Sequence, residues 1–376
     1  SQLIAARDPD SQWNFSYDAL GRVTMSDNQG TPFLPTVQFT YGYDANSNQT
    51  SRTDRIAGTQ VGLIARTFDS RDRVSSILQN SVGAVNRRVD FEYDQSGMFK
   101  SLTRYRDAAG QQQVAKTTYS YDAAARLQQI RHATIDQVLA TYDYTWDAAN
   151  RITRLVSPDG VADYSYDETD QLVGAAHSIQ QDEDYEYDLN GNRTLPGYQT
   201  GQNNRMESDG RYHYSYDDNG NRVLRLEIAT GERTEYTWDH RNRLTSVIVK
   251  SSSGGVLSDV RYTYDIFDRR IRKTIDSDGE GPGSATIKQY VHDGDHVAYE
   301  LDGAGNITHR YLHGPVIDMV LADERGDGTV HWILTDHLGT VRYITDSLGV
   351  IINHIQYDSF GQILSQSNEA WTPTFA

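Results

Sequence analysis

Hydrolysis of a glycosidic bond needs two carboxylates held in different environments, and this sequence of 376 residues repeatedly places an aspartate directly behind an aromatic ring. The pairs are Tyr17-Asp18, Tyr43-Asp44, Phe68-Asp69, Tyr93-Asp94, Tyr121-Asp122, Trp146-Asp147, Tyr166-Asp167, Tyr187-Asp188, Tyr216-Asp217, Trp238-Asp239 and Tyr264-Asp265. Eleven equivalent aspartates argue against an acid and a nucleophile, because catalysis needs one asymmetric pair with separated pKa values. A second candidate is His292-Asp-Gly-Asp-His296, with His313, His331 and His337 downstream. A lone pair of histidines outside a helix lacks convergent geometry and supporting partners, so no metal site is assigned to it. The run Asp276-Ser-Asp-Gly-Glu280 begins like a calcium loop, but its glycine falls at the fourth position and Ile287 stands where the closing glutamate belongs. The chain has no cysteine, which removes thiolate zinc sites, iron–sulfur clusters, disulfides and cysteine nucleophiles. No nucleophile elbow, phosphate-cradling loop or dinucleotide fingerprint is present. The expectation is a protein that is not an enzyme and uses no cofactor.

The aspartates are better explained by what must position them. The copies recur at intervals of 20 to 29 residues, with the length changes confined to the stretches between motifs. Ten of the eleven have a second aromatic two residues earlier, from Phe15 and Tyr41 to Tyr236 and Tyr262; only Arg66 breaks the rule. A spacing of two puts both rings on one face of an extended strand, with the residue between them, such as Ser16 or Thr145, on the other. Four residues after the aspartate stands Arg22, Arg73, Arg126, Arg151, Arg243 or Arg269; three copies have asparagine there, Asn48, Asn192 and Asn221, and the exceptions are Met98 and Gln171. The intervening residues are turn formers, as in Asp188-Leu-Asn-Gly-Asn192, and supply the positive φ of a tight hairpin. The aspartate can then accept backbone N–H groups across the turn, while the arginine can pair with that carboxylate or stack on the preceding ring. An apolar strand follows, for example Arg151-Ile-Thr-Arg-Leu155, and then a second turn. Each repeat therefore reads as an antiparallel hairpin that cannot bury its own ring face and must lie beside its neighbours in a long sheet.

Composition narrows the partners. With 35 Lys and Arg against 52 Asp and Glu the net charge is -17, a surface that repels phosphate backbones, so nucleic acid is not an expected partner. No apolar run approaches the roughly 20 residues of a membrane-spanning helix, and the N-terminus lacks the pattern of a secretion signal, so export would use another route or the sequence is part of a longer chain. From residue 289 onward there are 3 basic and 12 acidic residues and 7 of the 11 histidines. This shift, after the loop Ser277-Asp-Gly-Glu-Gly-Pro-Gly283, divides the chain into a hairpin array at 1–285 and a distinct segment at 286–376.

The aromatic-Asp pattern with Arg or Asn four residues on, over roughly residues 10 to 275, resembles bacterial RHS proteins, also called YD-repeat proteins, and their animal relatives the teneurins. Tyr311-Leu-His-Gly314, Thr335-Asp-His-Leu-Gly-Thr-Val-Arg342 and Tyr357-Asp-Ser-Phe-Gly361 resemble the RHS core-associated region. The resemblance implies an all-β fold, an array of antiparallel hairpin repeats in a curved, spiralling sheet that forms part of an RHS-type shell. It also implies a structural function: encapsulating or displaying a polypeptide, a toxin-type cargo or the rest of its own chain, in a secreted or cell-surface system. In toxin-bearing members the core-associated region leads into an aspartate-dependent self-cleavage motif; no residue through Ala376 matches it, and none is assigned that role. The alternative is a carbohydrate-binding adhesion module, with glycans as partners of its aromatic rows. On either reading the motif residues, Tyr17-Asp18-Arg22 through Tyr264-Asp265-Arg269, are structural.

Overall fold

The computed structural model describes residues 2–83 and 86–371; the last five residues of the 286–376 segment lie outside them. The fold is all-β. Two open sheets of sixteen strands each account for it, one running from Ala5–Arg7 to Glu183–Asp184 and the other from Tyr198–Thr200 to Ile363–Gln366. In both, every strand pairs antiparallel with the strands before and after it in sequence. Among the described residues neither sheet closes on itself.

The hairpins form because the turn sequence leaves little choice. In each aromatic-Asp turn the residue three after the aspartate has a positive φ: glycine in some copies (Gly21, Gly97, Gly191, Gly220), but Ser47, Asp72, Ala125, Asn150, Asp170, Asn242 or Asp268 in the others, at 58 to 71°. A type I turn closed by one such residue is the three-residue hairpin loop, and its extra residue produces the register shift seen just before ten of the eleven motif rings, as between Ser16 and Tyr17 or Thr237 and Trp238; Tyr187 makes only an isolated bridge to Arg193. The shift keeps both rings on one face. The residue between them is exposed in most copies.

The two sheets share a core. Alternate residues of the first sheet, including Ile64, Ile77, Val89, Phe91, Leu102 and Tyr142, pack with Leu312, Leu321, Trp332, Leu334 and Tyr343 of the second. Phe39 and Val37 pack likewise on Tyr299 and Leu301. Strands of the second sheet such as Val330–Thr335 and Val341–Thr345 are buried on both faces, a departure from simple alternation that their apolar runs permit. The rings are not uniformly inside: Phe91 and Tyr144 are buried, whereas most of the motif rings are half-buried because they sit beside the turn, at the end of the strand.

The sheet runs unbroken across 277–285, where Arg270–Asp276 pairs with Thr286–Asp293. The change of composition at 285 is therefore not a break in the sheet. The interruption falls between Glu183–Asp184 and Tyr198–Thr200, where one sheet ends and the other begins.

Candidate functional site

The motif aspartates are all engaged in the same way. In the first copy the Asp18 N–H donates to the Arg22 carbonyl at 3.0 Å and the Gly21 N–H to the Asp18 carbonyl at 3.0 Å. Oδ1 of Asp18 accepts the N–H groups of Leu20 (2.9 Å) and Arg22 (3.0 Å), and Oδ2 accepts Nε of Arg22 at 2.7 Å. Asp69–Arg73, Asp122–Arg126, Asp147–Arg151, Asp239–Arg243 and Asp265–Arg269 repeat this ion pair. Asparagine substitutes with its Nδ2 on Oδ2 at 3.0 Å (Asp44–Asn48), 2.9 Å (Asp188–Asn192) and 3.0 Å (Asp217–Asn221). Met98 and Gln171 supply only their backbone N–H, to Asp94 and Asp167 at 2.9 Å each. Hydrogen bonding to the ionised form lowers a carboxylate's pKa. The Arg73 guanidinium brings Asp69 down to about 2. At Asp239 burial pushes upward, but the N–H and guanidinium of Arg243 prevail and hold it at about 2. Carboxylates held ionised by turn donors have no proton to give.

The ring and the arginine join one hairpin to the next. From Tyr43 on, each motif Tyr or Trp except Tyr216 donates to the carbonyl just past the arginine position of the preceding copy, as Tyr43 does to Val23 (2.7 Å), Tyr93 to Val74 (2.9 Å), Trp146 to Leu127 (2.7 Å) and Tyr264 to Leu244 (2.8 Å); Tyr216 donates to Met206 (2.8 Å), just past Arg205 of an intervening turn that lacks the motif aspartate. Phe68 has no donor to contribute. The arginine stacks not on the ring before it but on the ring of the following copy, Arg22 over Tyr43 at 4.7 Å, Arg73 over Tyr93 at 4.3 Å and Arg151 over Tyr166 at 4.8 Å. Its NH1 reaches the next turn as well: Arg22 to the Asp44 carbonyl (3.0 Å), Arg126 to that of Asp147 (2.7 Å) and Arg243 to that of Asp265 (3.1 Å). A planar, multidentate group is needed to pair backward and stack forward at once.

The same turn continues where the aromatic signal stops. Oδ1 of Asp302, Asp336, Asp346 and Asp358 accepts the N–H groups two and four residues on, at 2.7 to 3.1 Å. Only Asp358 follows a ring; Leu301, Thr335 and Thr345 precede the others. The signal that finds all four is the spacing of the aspartate to a glycine three residues later, Gly305, Gly339, Gly349 and Gly361.

Polar groups cross the seam between the sheets. Trp13 Nε1 donates to Asp265 at 3.1 Å. Arg52 pairs with Asp54 of its own strand and, at 2.5 Å, with Asp293 of the other sheet. Arg87 pairs with Glu324, and Asp159 holds Arg342 and, at 2.8 Å, His354. Arg104 donates to Thr117 Oγ1 at 2.8 Å and to the Ile333 carbonyl at 3.0 Å; Thr117 Oγ1 lies 2.9 Å from His132 Nδ1, and His132 Nε2 donates to the Thr335 carbonyl at 3.0 Å. Burial, with repulsion from Arg104, holds His132 down to about 3.

The histidines singled out as possible ligands are spread over several strands and turns of the second sheet. His292 Nε2 lies 2.9 Å from the Arg270 carbonyl, His296 stacks on His313, His331 meets Trp371 edge-on at 4.3 Å, and His337 packs on Tyr144 at 4.7 Å. Among the described residues no three His, Cys, Asp or Glu side chains converge as a metal would require. The Asp276–Glu280 stretch caps itself, with Asp276 Oδ1 accepting the Gly279 N–H at 2.9 Å.

Comparison with known proteins agrees with this geometry. The chain is 25% identical over 337 residues to the tRNA nuclease WapA of Bacillus subtilis strain 168, covering 86% of this chain and 13% of that protein. It is 29% identical over 258 residues to the probable deoxyribonuclease RhsB of Dickeya dadantii, covering 67% and 15%. The chain thus spans a small part of the curated relatives it matches. The solved structure of TcdB2-TccC3-Cdc42 superposes with a TM-score of 0.62 at 14% identity, over 96% of this chain and 21% of that one, a likeness of fold. The teneurin YD-shell family matches residues 99–374. The chain, an RHS/YD-repeat shell segment, belongs to the teneurin YD-shell family.

Proposed function

We propose that this segment is part of the wall of a shell that encloses a polypeptide, a toxin-type cargo carried on the same longer chain, in a secreted or surface-delivered system. The observation that carries the reading is the likeness of nearly the whole chain to the TcdB2-TccC3 fold. The relatives named as nucleases favour a cargo with that kind of activity; the repeats of this chain supply the wall, since their aspartates are committed to turns. In this reading residues 1–285 serve as hairpin array and 286–376 as the part that folds against it, and the motif residues are structural. A glycan-binding surface would need free ring faces, whereas motif rings such as Tyr43, Tyr93 and Tyr166 carry the arginine of the preceding copy.

The test is limited proteolysis of the full-length protein. Its cargo should resist protease in the intact protein and become cleavable when the seam is opened by Asp159→Ala together with Glu324→Ala. Equal digestion of the cargo in both would overturn the proposal.

A further inference from the structure

Asn-Gly occurs twice in the sequence, at Asn190-Gly191 and Asn219-Gly220, each time inside a motif turn and followed by Asn-Arg. Such a step is prone to lose the side-chain ammonia, because glycine has no Cβ to shield its own amide nitrogen. The two turns are built alike. The Gly191 N–H donates to the Asp188 carbonyl at 3.0 Å and the Gly220 N–H to that of Asp217 at 3.1 Å. Asn192 and Asn221 hold the same aspartates through Nδ2 at 2.9 and 3.0 Å. Asn190 and Asn219 are both exposed, and among the described residues neither side-chain amide has a hydrogen-bond partner.

In a type I turn the asparagine is the third residue, with ψ of about 0°. Closure of a cyclic imide needs a large rotation about that ψ to bring the glycine nitrogen against the asparagine Cγ, and the rotation breaks the glycine N–H bond. The ring therefore closes from the opened turn, and its rate follows how often each turn opens.

What differs is the flanking structure. Turn 217–221 joins the strands Tyr212–Tyr216 and Arg222–Glu227, which pair at five positions. The second of these pairs onward with Arg233–Trp238, and Trp238 Nε1 donates to the Arg222 carbonyl at 2.8 Å. Turn 188–192 stands where the first sheet ends. It is closed by the isolated bridge of Tyr187 to Arg193 and by the Thr194 N–H on the Glu186 carbonyl at 3.0 Å. The next motif ring, Tyr216, bonds to Met206 instead, so among the described residues no ring fastens the Arg193 carbonyl. Arg193 stacks on Tyr185 at 4.8 Å and on Phe360 at 3.8 Å, contacts of its guanidinium that leave the backbone of the turn unreinforced.

We propose that Asn190 is a site of spontaneous deamidation, and that the folded chain is modified there ahead of Asn219. The Gly191 nitrogen forms a bond to Asn190 Cγ, the Cγ–Nδ2 bond breaks, and Nδ2 leaves as ammonia with the amide proton. Water then opens the imide. Cleavage of the Cγ–N bond yields aspartate; cleavage between the nitrogen and the main-chain carbonyl yields isoaspartate, whose main chain runs through the β-carbon. Either product puts a new carboxylate beside Asp188, and isoaspartate lengthens by a methylene the loop that lies between the two sheets. The inference does not depend on whether the chain walls a cargo.

The experiment incubates the whole folded chain in mildly alkaline buffer and follows aspartyl and isoaspartyl products at both sites by peptide mass spectrometry. Asn190 should convert about fivefold faster than Asn219 or more, the factor that corresponds to one net hydrogen bond. In urea the two rates should converge, because the stretches from Tyr187 to Arg193 and from Tyr216 to Arg222 differ only at Leu189 and Asp218. Trp238→Phe keeps a ring but removes the donor to Arg222; with the fold retained by circular dichroism, it should raise the rate at Asn219 by a similar factor and leave Asn190 unchanged. Equal rates in the folded chain, a ratio that survives in urea, or no response of Asn219 to Trp238→Phe would each overturn the proposal.

Discussion

The bond from each ring to the hairpin before it makes Tyr216 the most informative position to change. Its hydroxyl donates to the Met206 carbonyl at 2.8 Å and its ring lies half-buried under Arg205, whose guanidinium is 5.8 Å from the ring centroid. Tyr216→Phe deletes only the hydroxyl, and a net intramolecular hydrogen bond is worth about 1 kcal/mol. Tyr216→Ala also removes the ring. Complete burial of an aromatic covers roughly 150 to 250 Å² at about 25 cal/mol per Å², or about 5 kcal/mol. A half-buried ring brings this to about 2 to 3 kcal/mol beyond the hydroxyl. Urea titrations of the two variants should therefore be separated by about twice the shift that Tyr216→Phe alone produces. Hydrogen exchange should localise the loss to the Met206–Asp209 and Tyr212–Tyr216 strands. A change below about 0.5 kcal/mol for Tyr216→Ala, or a loss spread evenly over the chain, would refute the view that the rings fasten one hairpin to the next.

Other outcomes follow from the same geometry. Ala125 occupies a left-handed turn position at φ 62°, so Ala125→Gly should raise stability by about 1 kcal/mol in the same titration, the relief of strain exceeding the gain in unfolded-state entropy. His132 is held down to about 3 when folded and would return to about 6.5 when unfolded. The unfolded state then binds more protons throughout that window, and stability is lost as pH falls from about 6.5 toward 3. At pH 5 this amounts to about 2 kcal/mol, and it should vanish in His132→Gln when unfolding is followed against pH. The motif carboxylates act lower: Asp69 and Asp239, near 2 when folded, contribute stability that is present above about 4 and disappears toward pH 2, so an acid unfolding curve should show a second descent there. Asp122→Ala removes the acceptor for the Ala124 and Arg126 N–H groups and the anchor of the Arg126 guanidinium. Exchange of those two amides should accelerate while the distant turn at Asp239 is unchanged.

The hairpins were legible because their cause is local. An aspartate, a residue with positive φ and a ring two positions behind another ring fix turn, bulge and face within about ten residues, and the all-β array follows. The pairing of the arginine with its own aspartate is equally local. Its forward stacking is not, since the spacing within one copy holds no information about which neighbouring ring stands alongside, and Arg22 over Tyr43 is a contact between copies. The turns at Asp302, Asp336 and Asp346 carry no aromatic signal, because their rings are absent while the hydrogen bonds persist. Least legible is the seam. That Arg87 would meet Glu324, or Asp159 meet Arg342, depends on how one sheet lies on another across some 180 to 240 residues, and nothing in either local sequence specifies it.

The two kinds of contact also set an order of events as the protein is made. A ring emerging from the ribosome finds its acceptor carbonyl on a hairpin synthesised about 20 residues earlier, as Tyr43 does at Val23, so the first sheet can lengthen in step with translation at little entropic cost. The crossings from Trp13 to Asp265 or from Tyr41 to Asp293 join residues 252 apart and must wait until the second sheet exists. Until then the apolar side of the finished first sheet stands open to water. Nascent chains halted before residue 300 should be the ones that chaperones hold and that stick to one another.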